Sequence, residues 1–213
     1  MLPILADIGD DMAIAHGVVA HLSRYDMATD LALYLGADVL SFDFEEQGEQ
    51  WNHQHVLECL YQTGADWLTL IEDDAILCTD FLDREFHALE GLKPDHLVSW
   101  YLGTGQWAHE YSALQKKSLS RKIKEAEDKG YEFIEGNRLW HAVAFTVPRR
   151  YAIRVLKAMR SSRESTDWAI GEWCTATKTK VLYEYPSLVD HRDDDSILGN
   201  GSGAPRKAWR FAG

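Results

Sequence analysis

The order of apolar runs along this chain predicts an α/β fold, a Rossmann-like domain whose mixed, mostly parallel central sheet is flanked by helices. Three observations predict it. Short β-favouring runs alternate with longer segments whose apolar residues recur at helical spacing. One of those runs, Trp67-Leu68-Thr69-Leu70-Ile71, is continuous enough for a strand buried on both faces of a parallel sheet. The 213 residues, 46% of them hydrophobic, suffice for one such core, with no internal repeat or low-complexity tract. The expected unit is a single domain over residues 1–213. Residues 1–17 read as an extension or early strand, and 193–213 as a flexible or lid segment.

Gly17 to Leu22 reads as the first strand. A helix follows with Met27, Leu31 and Leu35 one turn apart, and Gly36 is its C-cap. Val39 to Asp43 is a second strand. Trp51 to Gln62 is a helix expected to bury Trp51, His55 or Val56, and Cys59, before Gly64 ends it. The Trp67 to Ile71 strand comes next and completes a β-α-β-α-β run. A helix from about Thr79 to Leu89 and a turn at Gly91 to Pro94 lead to a strand at His96 to Leu102, closed by Gly103-Thr104-Gly105. Glycines there let backbone approach a ligand, and they equally make an ordinary tight turn. Ala113 to Lys129 is a charged helix with a weak stripe of Leu114, Leu119, Ile123 and Ala126. Its lysines and arginines either meet an acidic partner or form a solvated face. Tyr131 to Ile134 and Trp140 to Val147 read as strands. Pro148 opens a helix over Arg149 to Arg160, a further helix starts with Thr166 as cap, and Val181 to Tyr185 is the last strand.

Bulk properties exclude several function classes. A net charge of -12 argues against a surface built for a nucleic-acid backbone, which draws affinity from clustered Lys and Arg. Three cysteines, Cys59, Cys78 and Cys174, without C-x-x-C spacing suggest neither a zinc site nor a disulfide framework, and fit a reducing compartment. No stretch approaches the ~18 apolar residues that cross a bilayer. The acidic N-terminus is a poor signal peptide. The expectation is a soluble cytoplasmic protein with no membrane partner.

The chemistry concentrates where the apolar strand runs into Glu72, Asp73 and Asp74. Alternation in an extended chain puts Glu72 and Asp74 on one side and Asp73 on the other. Two carboxylates then converge outside the carboxyl edge of the sheet, where open α/β folds bind ligands. Hard oxygen ligands aimed at one point suit Mg²⁺ or Mn²⁺. The same residues also read as a solvated acidic turn before a helix. Of nine histidines, His191 is the best placed to join such a site, although an imidazole suits Zn²⁺ better and a loop histidine is the plain alternative. Asp167 is a candidate base or acceptor-binding group, and also an ordinary helix-start aspartate. Arg24 could meet a diphosphate through its bidentate fork, or lie on the surface. No G-x-S-x-G, Walker loop or G-x-G-x-x-G is present.

The segments DWLTLIEDDAILCTDF, VSWYLGTGQW, WHAVAFTVPRRY, TDWAIGEW and YPSLVDHRDDDS, in that order, resemble the small glycosyltransferases encoded by bacteriophages of actinobacteria. Those are similar to nucleotide-sugar-dependent enzymes of the GT-A fold. The resemblance runs from about Val18 to the C-terminus, and its most specific parts are PSLVDHRDDDS and YLGTG. It implies a GT-A-type domain and metal-dependent transfer of a sugar from a nucleoside diphosphate sugar, with UDP favoured and Mn²⁺ or Mg²⁺ as cofactor. The implied acceptor is a virion protein or a modified DNA base in the host cytoplasm. The acidic net charge leans toward a protein or small acceptor.

On this resemblance Asp74, Glu72 and His191 hold the metal, with Asp74 the principal ligand and Glu72 a contact to ribose or metal. Relatives often carry Gln in place of Glu72. HLSR, His21 to Arg24, resembles the nucleotide-proximal loop but lacks its usual proline. Asp73, Arg24 and Arg192 would face the nucleotide, and Tyr101, Gly103 and Thr104 the donor sugar. Trp107 or Trp140 would stack on sugar or base, each also being a reasonable core residue. Asp167 and Asp74 are the catalytic candidates. The competing readings are a metal-dependent phosphohydrolase or nuclease using the same acids, and a non-catalytic nucleotide-sugar-binding protein.

Overall fold

The computed structural model describes residues 12–104, 113–192 and 206–213. The strands are β1 (Ile14–Ala20), β2 (Val39–Phe42), β3 (Trp67–Glu72), β4 (Ala75–Leu77), β5 (His96–Ser99), β6 (Phe133–Gly136), β7 (Ala144–Pro148), β8 (Lys180–Glu184) and β9 (Val189–His191). The helices are α1 (Tyr25–Leu35), α2 (Glu49–Thr63), α3 (Phe81–Glu90), α4 (Ala113–Lys129), α5 (Arg149–Ser161) and α6 (Thr166–Thr177). Seven strands form one sheet in the order β2-β1-β3-β7-β5-β8-β6, while β4 and β9 make a separate antiparallel pair. Within the large sheet β1 pairs in parallel with β2 and β3, and β5 with β8. β7 is antiparallel to both its neighbours, and β6 to β8. Most strands therefore point one way. The mixed, mostly parallel α/β architecture flanked by helices is the one the sequence predicts.

Alternation along β3 explains how one strand serves two cores. Leu68 and Leu70 face a cluster that contains Val56, Leu57 and Leu60 of α2, Val155, Leu156 and Met159 of α5, and Ile170 of α6. Trp67 and Ile71 face the opposite cluster, with Ala28 and Leu35 of α1 and Phe81 and Leu89 of α3. Each fully buried aliphatic or aromatic side chain contributes about 1.5–3 kcal/mol relative to exposure. β1 carries Gly17 against α2, where an added Cβ would run into Val56 Cγ1 and lie 3.1 Å from Leu60 Cδ1. The missing side chain lets helix and sheet approach closely.

Several local expectations shift. The first strand lies at Ile14–Ala20 rather than from Gly17 to Leu22, because Ile14 to Val19 pair with Trp67 to Glu72 of β3. Leu22–Arg24 is a 3-10 turn whose cap is the His21 ring. Helix α2 buries Asn52, His53, Val56, Leu57 and Leu60, not the face of Trp51, His55 and Cys59. Trp51 and His55 instead stack on each other, with ring centroids 5.3 Å apart. The buried face contains two polar residues, which the apolar pattern could not flag: Asn52 is held by Ser41 and by the Ala20 and Ser41 carbonyls. Pro148 is the N-cap of α5, and Ser165, not Thr166, caps α6. In α4, Leu119, Ile123 and Ala126 are buried as expected. Among the described residues no helix is long and apolar enough to cross a membrane.

The order β2-β1-β3 places a topological switch between β1 and β3, since the chain leaves β1 toward β2 and then returns to its other side. The carboxyl ends of these two strands lie level, with Val19 opposite Glu72.

Candidate functional site

At that shared edge β3 stops at Glu72 and the chain turns through Asp73 and Asp74 into β4. The Asp73 N–H donates to Val19 O at 3.1 Å, tying the turn to the end of β1. β4 then pairs with β9, Ala75 opposite His191, and this short ladder is what carries His191 to the acids. His191 Nε2 lies 3.4 Å from Asp74 Oδ1. Glu72, Asp74 and His191 each offer a ligand atom within 4.8 Å of the other two. The 5% exposed Asp74 and 2% exposed His191 are enclosed by protein. Asp74 Oδ1 and His191 Nδ1 are buried without a hydrogen-bond partner. Such orphaned polar atoms are costly in a fold unless something else satisfies them.

Arg24 reaches this edge from the 3-10 turn that follows β1. Its Nη1 donates to Asp73 Oδ1 at 2.9 Å and to Asp74 Oδ2 at 2.6 Å, while the His21 N–H donates to Asp73 Oδ2 at 2.7 Å. Strict alternation would have sent Asp73 away from Asp74. The chain leaves the strand at Glu72, so both aspartates reach the same guanidinium. Burial pushes Asp73 up from the usual carboxylate range, opposed by the His21 amide and Arg24. Burial raises Glu72 to about 8, with Asp74 adding to the shift and His53 opposing it. Desolvation plus a like charge is the mark of a carboxylate cluster short of positive charge. His191 is lowered by burial, against the pull of Asp74.

Glu72 also faces α2. His53, 0% exposed, has Nδ1 3.0 Å from Glu49 Oε1 and Nε2 3.7 Å from Glu72 Oε1. Burial works against a charge on His53, but Glu49 and Glu72 outweigh it and lift the ring to about 9. Burial acts to raise Glu49, and His53 together with Thr166 of α6 brings it below its usual range.

The structure gives the remaining candidates different surroundings. Tyr101 is buried with its ring 5.2 Å from His141 and 6.2 Å from His191, and burial raises its hydroxyl above the usual range. Gly103 is required by Tyr101, because a Cβ there would stand 2.5 Å from the tyrosine oxygen. Thr104 donates both its N–H, at 2.9 Å, and its hydroxyl, at 3.0 Å, to Lys207 O. The C-terminal residues thus pack back on this loop; Trp209 N–H also donates to Leu102 O and Ala208 N–H to Asp190 Oδ1. Arg192 has an exposed side chain and donates its backbone N–H to Asp74 O at 2.9 Å. Asp167 lies at the start of α6, accepting from Ser165 Oγ and the Trp168 N–H. Trp140 stacks on Tyr183 at 4.7 Å. Trp107, Gly105 and residues 193–205 lie outside the described residues.

Four features escaped the sequence reading. Glu49 and His53, an i,i+4 pair, carried a faint signal in their spacing. His141 sits inside an apolar run and reads there as core. It is lowered to about 3 by burial, then by His191 and Arg206. Arg206 approaches from the C-terminal segment. The exposed Tyr25 stacks on Phe42 at 5.2 Å and 17°, immediately after Arg24.

No protein-family model and no curated protein matches the sequence. Similar solved structures include A197 from STIV, 12% identical with a TM-score of 0.49 over 86% of this chain and 87% of that one. Another is a glycosyltransferase involved in the glycosylation of the major capsid of PBCV-1, 6% identical with a TM-score of 0.47 over 84% of this chain and 95% of that one.

Proposed function

We propose that this protein is a metal-dependent glycosyltransferase that moves a sugar from a nucleoside diphosphate sugar, UDP-linked by preference, to a protein or modified-nucleobase acceptor. The observation that carries the reading is the convergence of Glu72, Asp74 and His191 at the carboxyl edge of β1 and β3, beside Arg24. The resemblance of five ordered segments to phage-encoded glycosyltransferases supports it independently and suggests a virion protein as acceptor.

The residues fit a divalent cation on chemical grounds. Asp74 Oδ1 is buried and unpartnered, it faces an imidazole nitrogen at 3.4 Å, and burial together with the Asp74 charge displaces Glu72 to about 8. Glu72, Asp74 and His191 would hold Mn²⁺ or Mg²⁺, which supplies Lewis-acid neutralisation of a departing diphosphate. Arg24, itself oriented by Asp73 and Asp74, adds a fixed positive charge at the same edge. The Tyr25 and Phe42 rings offer a flat apolar surface on which a nucleobase stacks. On the resemblance, Tyr101, Gly103 and Thr104 would lie toward the donor sugar. Asp167 takes the acceptor proton if configuration inverts, and positions the acceptor if it is retained.

The test is hydrolysis or transfer from UDP-glucose and related sugar nucleotides with and without Mn²⁺. Turnover should require the metal and fall at least 100-fold in Asp74→Ala while circular dichroism is unchanged. An undiminished rate in that variant would sink the reading. Phosphate release from simple esters with no sugar donor would favour a phosphohydrolase. Binding indifferent to EDTA with no turnover would favour a non-catalytic carrier.

A further inference from the structure

We infer that Glu72 is shared between two divalent-cation positions, the second formed with His53 and Glu49 on the first turns of α2. This position lies apart from the Asp74 and His191 side of Glu72; the sharing rests on the metal site of the activity proposed above, while the His53 position is tested separately from it.

The geometry of His53 carries the inference. Its ring is fully enclosed and stacks near Phe145, with centroids 6.1 Å apart. Nδ1 lies 3.0 Å from Glu49 Oε1 and 3.1 Å from Glu49 O, so its proton points at Glu49. That leaves Nε2, buried without a hydrogen-bond partner, as the ring atom open to a cation. It faces Glu72 Oε1 at 3.7 Å, too far for a hydrogen bond. A cation has to lie between the two atoms, either the second proton of a charged ring or a divalent ion that displaces that proton. Two ligands bound about 2.1 Å from one ion at a near-tetrahedral angle stand roughly 3.4 Å apart. The 3.7 Å separation is close to that value, and the 3.4 Å between His191 Nε2 and Asp74 Oδ1 on the other side of Glu72 matches it.

The surroundings of the ring agree. A metal-bound histidine ordinarily donates its other N–H to a carboxylate or backbone carbonyl, and Glu49 supplies both. Glu49, His53 and Glu72 offer ligand atoms within 4.8 Å of one another, with remaining positions left to solvent or substrate oxygens. One imidazole with carboxylates suits Zn²⁺ or Mn²⁺ better than Mg²⁺. Two cations bridged by one carboxylate would present paired charge to a ligand with two phosphate groups.

The experiment strips the full-length protein with EDTA, dialyses it against MnCl₂ or ZnCl₂, and counts bound metal by elemental analysis. Variants His53→Gln, Asp74→Asn and Glu49→Gln are compared after circular dichroism confirms folding. Two equivalents in the wild type, falling to one in His53→Gln and to one in Asp74→Asn, are expected. Glu49→Gln, which keeps the ring in place more gently, should weaken the second equivalent about 10–100-fold. With two Mn²⁺ ions bound, electron paramagnetic resonance should show exchange-coupled spectra that revert to an isolated-ion signal in His53→Gln. One equivalent lost with Asp74→Asn but retained in both α2 variants overturns the second position and leaves the proposed activity standing. One equivalent lost only in the α2 variants does the reverse. No bound metal overturns both.

Discussion

Arg24 is the residue on which the charge balance of the site turns. With its guanidinium removed, Asp73 and Asp74 become buried carboxylates held only by the His21 amide and their neighbours. Breaking one side of a buried pair costs about 3 kcal/mol. Arg24→Ala should therefore lower the melting temperature in EDTA, and Mn²⁺ should restore part of the loss if the acids hold a cation. Equal destabilisation with and without Mn²⁺ would speak against that site.

His141 makes a prediction with a different sign structure. Its folded pKa of about 3 lies below the ordinary histidine value, so the fold refuses a proton that the unfolded chain accepts. Its contribution to stability is intact above about pH 6.5 and is lost as pH falls toward 3, at up to about 1.4 kcal/mol per pH unit. Urea denaturation at pH 7 and pH 5 should show a shallower acid loss in His141→Gln than in the wild type. Parallel losses in the two proteins would mean that His141 does not set the acid limb.

At the scale of elements, two contacts fix helices onto the sheet. Gly17 of β1 allows α2 to sit close. Gly17→Ala forces its Cβ against Val56 and should cost about 1–3 kcal/mol by overpacking. Because α2 also carries Glu49 and His53, the same substitution should disturb the edge of the site.

On the other face, Glu85 of α3 is fully buried and takes bonds from His16 Nε2 and Thr69 Oγ1, each at 2.6 Å. Thr69 is linked to Thr146, which accepts from Trp100 Nε1 at 2.8 Å. This polar chain joins β1, β3, β7 and the end of β5 to one helix. Glu85→Ala leaves several of these groups unpaired and should destabilise by about 3 kcal/mol, read from the urea midpoint. A cost below about 0.5 kcal/mol would show that the network is dispensable.

For the whole molecule, a ligand that binds only the folded state adds RT ln(1 + [L]/Kd), or about 2.7 kcal/mol at 100 times Kd. Over a chain of this size that corresponds to a rise of very roughly 5–10 °C. Adding Mn²⁺ with UDP should produce such a rise, EDTA should reverse it, and Asp74→Asn should abolish it. A shift that survives EDTA would place the nucleotide away from the acidic cluster.

Much of this molecule is legible in its residues. Apolar run lengths and helical spacing, as at Trp67 to Ile71 and at Val155, Leu156 and Met159, identify the elements because burial of those side chains drives their formation. The acidic triplet at a buried strand's end is equally visible, since carboxylates there need a partner. Tertiary structure decided what lies beside what. His191 meets Asp74 only through the β4 and β9 pairing, and Arg24 bridges two aspartates only because the chain turns at Glu72. His53, polar on the buried face of α2, gave no apolar signal at all. Local propensity reports which side chains avoid water, whereas the approach of groups distant in sequence depends on strand order and register, which no single segment encodes.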